Sequence, residues 1–204
     1  MAERCLIIAA GTRENIPYRA GDYVIACDQG YEYAKEQCVP VDIVLGDLDS
    51  YHGKIKDDVE IMRYPREKDD TDTMAAVRFA ISKGYKKIVL TCALGGRLDH
   101  SLANIQAGCY AAAAWADFSI LGENNRAFFI YKGEKKFPRE EGWSLSVFAH
   151  DEKCRGVSIK GAKYALDNVT LTNNFPIGAS NEWTADEVTV AVKEGVLVVV
   201  ESRL

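Results

Sequence analysis

The feature that most constrains this chain is a change of texture near residue 122. Before it, short β-branched runs alternate with stretches of helical period; after it the helical period disappears. The first part reads as strands over 5–10, 23–27, 42–45, 59–62, 87–92 and 118–121. Helices fall between them at 30–37, 71–83 and 98–116, the middle one carrying Met74, Val77, Ala80 and Ile81 on one face. Alternating strands and helices imply parallel pairing through right-handed crossovers, and such open sheets bind ligands at the carboxyl ends of their strands. The second part reads as short strands over 127–131, 143–149, 157–160, 169–172, 187–192 and 196–201, with Lys193-Glu194-Gly195 as a hairpin turn. The expected fold is therefore α/β plus all-β: an N-terminal doubly wound, mainly parallel α/β domain over 1–124, then a C-terminal β-sandwich over 125–204.

Charge narrows the partners. The formal net charge is -5, whereas nucleic-acid backbones demand clustered Lys and Arg. A phosphorylated small molecule held through a metal stays open, because carboxylates recruit the metal and the metal meets the phosphates. The six cysteines form no C-x-x-C pair and no zinc spacing with histidine, and several sit in apolar runs. They read as reduced core residues of a cytosolic protein. No basic leader and no apolar stretch of about 20 residues is present, so neither export nor membrane insertion is expected.

The chemistry lies where the aspartates fall. Gly46-Asp47-Leu48-Asp49-Ser50 follows a strand, and Lys68-Asp69-Asp70-Thr71-Asp72-Thr73 precedes a helix. Gly95-Gly96-Arg97-Leu98-Asp99-His100 joins a strand to a helix, and Asp28 ends another strand. Taken singly, each is also what a turn or a helix cap wants; Thr71 or Asp70 would serve as a cap. Gathered at one sheet edge, the carboxylates repel one another unless a cation compensates. Hard oxygen donors point to Mg²⁺, with Asp47 and Asp49 facing it from one loop and Asp72 from the next. Gly95-Gly96 lets backbone N–H groups approach an anion, while Arg97 and Lys68 supply cations for phosphate oxygens. This is the equipment of phosphoryl or pyrophosphoryl transfer, without a P-loop or dinucleotide fingerprint. His100 reads equally as a base or as a structural residue at a helix start.

These segments, in this order and spacing, resemble the hallmark motifs of the thiamine pyrophosphokinases. The likeness continues through Gly161-Ala162-Lys163-Tyr164-Ala165-Leu166 and Ser180-Asn181-Glu182-Trp183, so it spans nearly the whole chain. It implies transfer of the β,γ-diphosphate of ATP to the hydroxyl of thiamine, in a homodimer whose thiamine sites lie between subunits. Carried over by position, Asp47, Asp49 and Asp72 are the metal ligands, and with Arg97 and Asp99 the catalytic set. Asp28, Lys68, Arg97, Asp99 and His100 are the nucleotide contacts. Tyr164 stacks on the vitamin, and Ser180 and Asn181 hydrogen-bond it; a flat aromatic suits a cationic aromatic ligand. The chain departs from the family pattern at Gln29, Tyr31, Ala162 and Ala165. A metal-dependent nucleotide hydrolase and an idle binding sensor are the competing classes. A hydrolase needs no vitamin pocket, and a sensor needs no full metal set.

Overall fold

In the computed structural model, which describes residues 3–46, 55, 59–63 and 70–204, the centre of the first part is β1 (Cys5–Ile8). It pairs in parallel with β2 (Tyr23–Cys27) on one side and β5 (Lys87–Thr91) on the other. Beyond β2 come β3 (Ile43–Gly46) and β4 (Glu60–Arg63), and beyond β5 comes β6 (Asp117–Leu121), every pairing parallel. The spatial order is thus β4-β3-β2-β1-β5-β6. Strands in such a sheet are covered on both faces, so they read as continuous apolar runs rather than alternating ones. β1 is CLII and β3 is IVLG, each buried along its whole length.

Handedness then places the helices. The step from β2 through α1 (Gly30–Glu36) to β3 moves away from β1 in one direction. The steps through α2 (Asp72–Ser82) to β5 and through α3 (Leu98–Ala113) to β6 move in the other. Right-handed crossovers put α1 on one face and α2 with α3 on the opposite face, and α2 does pack against α3. Leu6, Ile8, Val24 and Val89 form a core cluster with Ala34 of α1. One side chain in two along each strand faces this layer. A buried ion pair, Arg4 to Asp22 at 2.5 Å, ties the entrances of β1 and β2. Burial alone would push the Asp22 carboxyl up; bonds from Arg4 and from the Arg19 backbone hold it below its ordinary value.

The chain divides into two compact units, Met1–Glu123 and Asn124–Leu204. The second is antiparallel: β7 (Asn125–Pro138), β8 (Trp143–Ala149), β9 (Lys153–Lys160), β10 (Leu166–Thr172) and β11 (Glu187–Arg203). Here one expectation is corrected. Lys193-Glu194-Gly195 is not a hairpin turn; β11 runs straight through it. Val192 opposes Gly133 and Val196 opposes Tyr131, four steps on one strand against two on the other, so the extra residues form a bulge. The first half of β11 pairs with β9 and the second half with β8, while β7 accompanies both. Inward-facing residues run Val188, Val190, Val192 before the bulge and Leu197, Val199 after it. The bulge switches which parity faces the core. β10 and β8, which share no ladder, touch, as they must when the two halves fold over one core in a sandwich.

All six cysteines are free, and all but Cys38 are buried. Among the described residues, no helix is long and apolar enough to cross a membrane.

Candidate functional site

Strand order reverses between β1 and β5, and that is where a cleft of about 590 Å³ opens in the first unit. The loops leaving both strands line it: Ala9 to Thr12 after β1, and Ala93 with Gly95 to Arg97 after β5. They are laced together, with Ala9 N–H donating to Thr91 O at 3.0 Å and Gly11 N–H to Cys92 O at 2.9 Å. Asn104, buried on α3, donates from Nδ2 to Ala93 O at 2.7 Å and so fixes the second loop to the helix.

Two helix N-termini point into this cleft. Thr71 caps α2, its Oγ1 accepting from Met74 N–H at 3.1 Å, while Asp70 bonds Arg78 instead at 2.9 Å. Thr71 is therefore the cap of the two candidates, and Asp72 follows in the first turn with Thr73 beside it. α3 starts after Arg97, which makes no side-chain cap. First-turn N–H groups and the helix dipole favour anions at both ends.

Asp28 sits at the end of β2 with φ of 44°, a left-handed conformation that Asp tolerates better than most residues. Its carboxylate lies against Gly46, where any β-carbon would overlap Asp28 Oδ1. Gly46, the residue before Asp47 in the sequence, is thereby held against the Asp28 carboxylate. Asp47, Asp49 and Lys68 themselves lie outside the described residues. Among the described residues, no three His, Cys, Asp or Glu side chains converge as a metal cluster. Asp28 and Asp72 are the carboxylates of the expected set that line the cleft, and Arg97 and His100 line it with them.

Arg97 is not a bare cation. Its Nη2 meets Asp99 Oδ2 at 2.5 Å and its Nε meets Oδ1 at 3.1 Å, a two-pronged pair. The Arg97 bonds pull the Asp99 carboxyl down to about 2, helped by the His100 N–H at 3.0 Å. Both side chains are more than half exposed. Asp99 thus aims the guanidinium, leaving its outer N–H groups for a ligand.

The second-unit residues behave differently. Asn181 is 2% exposed. Its Oδ1 accepts from Tyr164 N–H at 2.9 Å and Glu182 N–H at 3.0 Å, and its Nδ2 donates to Tyr164 O at 2.9 Å. Its backbone meanwhile pairs with Leu145 of β8. Its amide is committed to presenting Tyr164, a residue 58% exposed. Lys163 lies 5.7 Å from that ring and is paired to Glu182 at 2.9 Å. Ser180 is exposed, with φ of 56° and its N–H on Ser146 Oγ at 3.0 Å. Trp183 is buried on Phe137 O, and Ala162 bridges to Trp183.

Sequence reasoning overlooked Gly11, Thr12 and Asn104. None carries a charge, and only the strand order shows that the β1 loop faces the β5 loop. The one available signal was Ala10-Gly11-Thr12 following the first strand.

A family model described as thiamin pyrophosphokinase, catalytic domain, matches residues 18–116, and one described as thiamin pyrophosphokinase, vitamin B1 binding domain, matches 134–197. The chain is 26% identical to a thiamine pyrophosphokinase of Bacillus subtilis, over 96% of this chain and 97% of that one. Its fold is similar to the crystal structure of a Bacillus subtilis thiamine pyrophosphokinase, with TM-score 0.86, 22% identity and coverage of 98% and 99%. The thiamin pyrophosphokinase from Candida albicans is more distant, at TM-score 0.77, 15% identity and coverage of 98% and 89%.

Proposed function

The chain belongs to the thiamin pyrophosphokinase family, and on that premise we propose that the first-unit cleft takes Mg·ATP while Tyr164 receives thiamine. The enzyme is an ATP-dependent diphosphotransferase: the β,γ-diphosphate of ATP passes to the thiamine hydroxyl, giving thiamine diphosphate and AMP. The observation that carries the site assignment is the convergence of Asp28, Asp72, Arg97 and two helix N-termini where the strand order reverses.

The donor chemistry fits a hard divalent cation, since Asp28 and Asp72 line one cleft and Asp28 adjoins Gly46, the residue before Asp47. Asp47, Asp49 and Asp72 would hold Mg²⁺. When bound, the ion neutralises phosphate charge and fixes the fold of the triphosphate. Arg97, aimed by Asp99, supplies fixed positive charge to the phosphoryl oxygens, and Lys68 adds a second cation. His100 lines the same wall as a nucleotide contact. The thiamine hydroxyl attacks the β-phosphorus in line. A new oxygen–phosphorus bond forms, the bond to the α-phosphate bridging oxygen breaks, AMP carries off that electron pair, and the hydroxyl proton goes to water or a neighbouring carboxylate. Rate comes from positioning and charge compensation.

In the second unit, Tyr164 stacks on the vitamin, Ser180 hydrogen-bonds it, and Asn181 acts by holding Tyr164. We also place the enzyme in the cytosol, in line with its free cysteines. The resemblance supports a homodimer with the thiamine site at its interface, which sedimentation would check.

The test is product analysis with ATP and Mg²⁺, with and without thiamine. Equal amounts of AMP and thiamine diphosphate, formed only with thiamine and abolished by a chelator, are expected. Thiamine-independent release of phosphate or pyrophosphate would favour a hydrolase.

A further inference from the structure

We infer that Thr12 is a further substrate-binding residue, its hydroxyl donating to a phosphoryl oxygen of ATP; the inference rests on the first-unit cleft being the nucleotide site. Thr12 lines that cleft and is exposed to it, and its hydroxyl makes no hydrogen bond among the described residues. Gly95 and Gly96, with φ of 85° and 66°, adjoin it from the loop after β5. A β-carbon at Gly95 would sit 2.8 Å from Thr12 Oγ1, so the missing side chain makes room for that hydroxyl. The glycines therefore do more than expose backbone N–H groups; they admit an uncharged donor from the opposite loop.

The loop that carries Thr12 is fastened on both sides. From α1 and the residue after it, Tyr33 OH donates to Gly11 O at 3.1 Å, Gln37 Nε2 donates to Glu14 O at 2.9 Å, and Gln37 Oε1 accepts from Ile16 N–H at 2.9 Å. From the end of the unit, Glu123 bonds the loop twice: its Oε1 accepts from Asn15 N–H at 3.1 Å, and its N–H donates to Glu14 Oε1 at 3.2 Å. A loop restrained at Gly11 before this hydroxyl and at Glu14, Asn15 and Ile16 after it holds that donor in place before the ligand arrives, which lowers the cost of binding. An alcohol donating to a charged phosphate oxygen is worth about a tenfold change in affinity.

The test compares Thr12→Val, which keeps the shape and removes the hydroxyl, with Thr12→Ser, which keeps the hydroxyl, and with Asp72→Asn as a marker of the cleft. The readouts are separate KM values for ATP and thiamine, kcat, and the melting temperature. Thr12→Val should raise KM for ATP about tenfold, with thiamine KM and melting temperature unchanged and Thr12→Ser near wild type. Wild-type ATP kinetics in folded Thr12→Val overturn the inference. So does equal damage in both Thr12 variants with a lowered melting temperature, which would make Thr12 a packing residue. If Asp72→Asn also leaves turnover intact, the cleft assignment falls with it; if Asp72→Asn is dead and Thr12→Val is normal, the Thr12 inference alone falls.

Discussion

The two units spend their polar side chains in opposite ways. In the first, Asp28, Asp72, Arg97, His100 and Thr12 stand around an open cleft, and glycines make room beside Thr12 and Asp28. In the second, the buried Asn181 uses both ends of its amide on Tyr164 and Glu182, so that one exposed aromatic ring is presented. A charged, flexible triphosphate calls for several converging charges; a flat aromatic calls for one rigid surface. Removing a side chain from the first unit should therefore cost chemistry, and removing one from the second should cost shape.

The largest effect is expected from Asp72→Asn, which removes a charge at the cleft with little change in volume. Turnover should fall by about a hundredfold or more, while the melting curve moves little, because Asp in a first helical turn is worth about 0.5 kcal/mol. Thiamine-dependent AMP release and thermal unfolding together check this. Asn181→Ala should do the reverse, leaving two N–H groups and a carbonyl unpaired at a cost of roughly 3 kcal/mol. Lower stability and a higher thiamine KM, with ATP KM kept, would sharpen the contrast; an ATP effect of equal size would break it.

Arg97→Lys comes next. It retains the charge and loses the forked pairing with Asp99, so a loss of about tenfold in kcat/KM is expected with no change in stability. The smallest effect concerns pH. Asp99 is held at about 2, below its ordinary 3.8, so its pairing with Arg97 is present above the ordinary value and lost only as pH falls toward 2. Between about pH 5 and 9 the pair should stay intact, and Asp99→Asn should remove no acid limb from the rate profile.

Two arginine–aspartate pairs differ in where they stand and in the role assigned to each. Arg4–Asp22 and Arg97–Asp99 are both two-pronged ion pairs. The first is buried at the strand entrances and serves the fold; the second is exposed at a helix start in the cleft. Sequence singled out the second because it lay in a motif with Gly95-Gly96. It was blind to the first, since Arg4 and Asp22 are eighteen residues apart.

β1, β2, β3 and β5 were legible in the sequence because a strand covered on both faces must be apolar throughout. The outer half of β7, KGEKK, was not, since its side chains are mostly exposed and leave no alternation to read. The bulge in β11 reads as a turn because Lys193-Glu194-Gly195 has turn composition, whereas pairing with β7 on either side and with β9 at Glu194 keeps it extended. The charged cleft residues announced themselves by clustering. Thr12 did not, because one uncharged side chain after a strand gains meaning only from the loop opposite. Asn181 was identified by resemblance, yet a motif cannot say whether an amide is free or already committed.

The separation of roles is tested most directly by measuring KM for ATP and KM for thiamine in Tyr164→Ala. The exposed ring contributes little to stability, so the variant should fold normally. Thiamine KM should rise about tenfold, in keeping with the loss of one stacking surface, and ATP KM should stay within about twofold. A variant whose ATP KM rises as much as its thiamine KM, or whose thiamine KM does not move, would contradict the assignment of the vitamin to Tyr164 and of the nucleotide to the first-unit cleft.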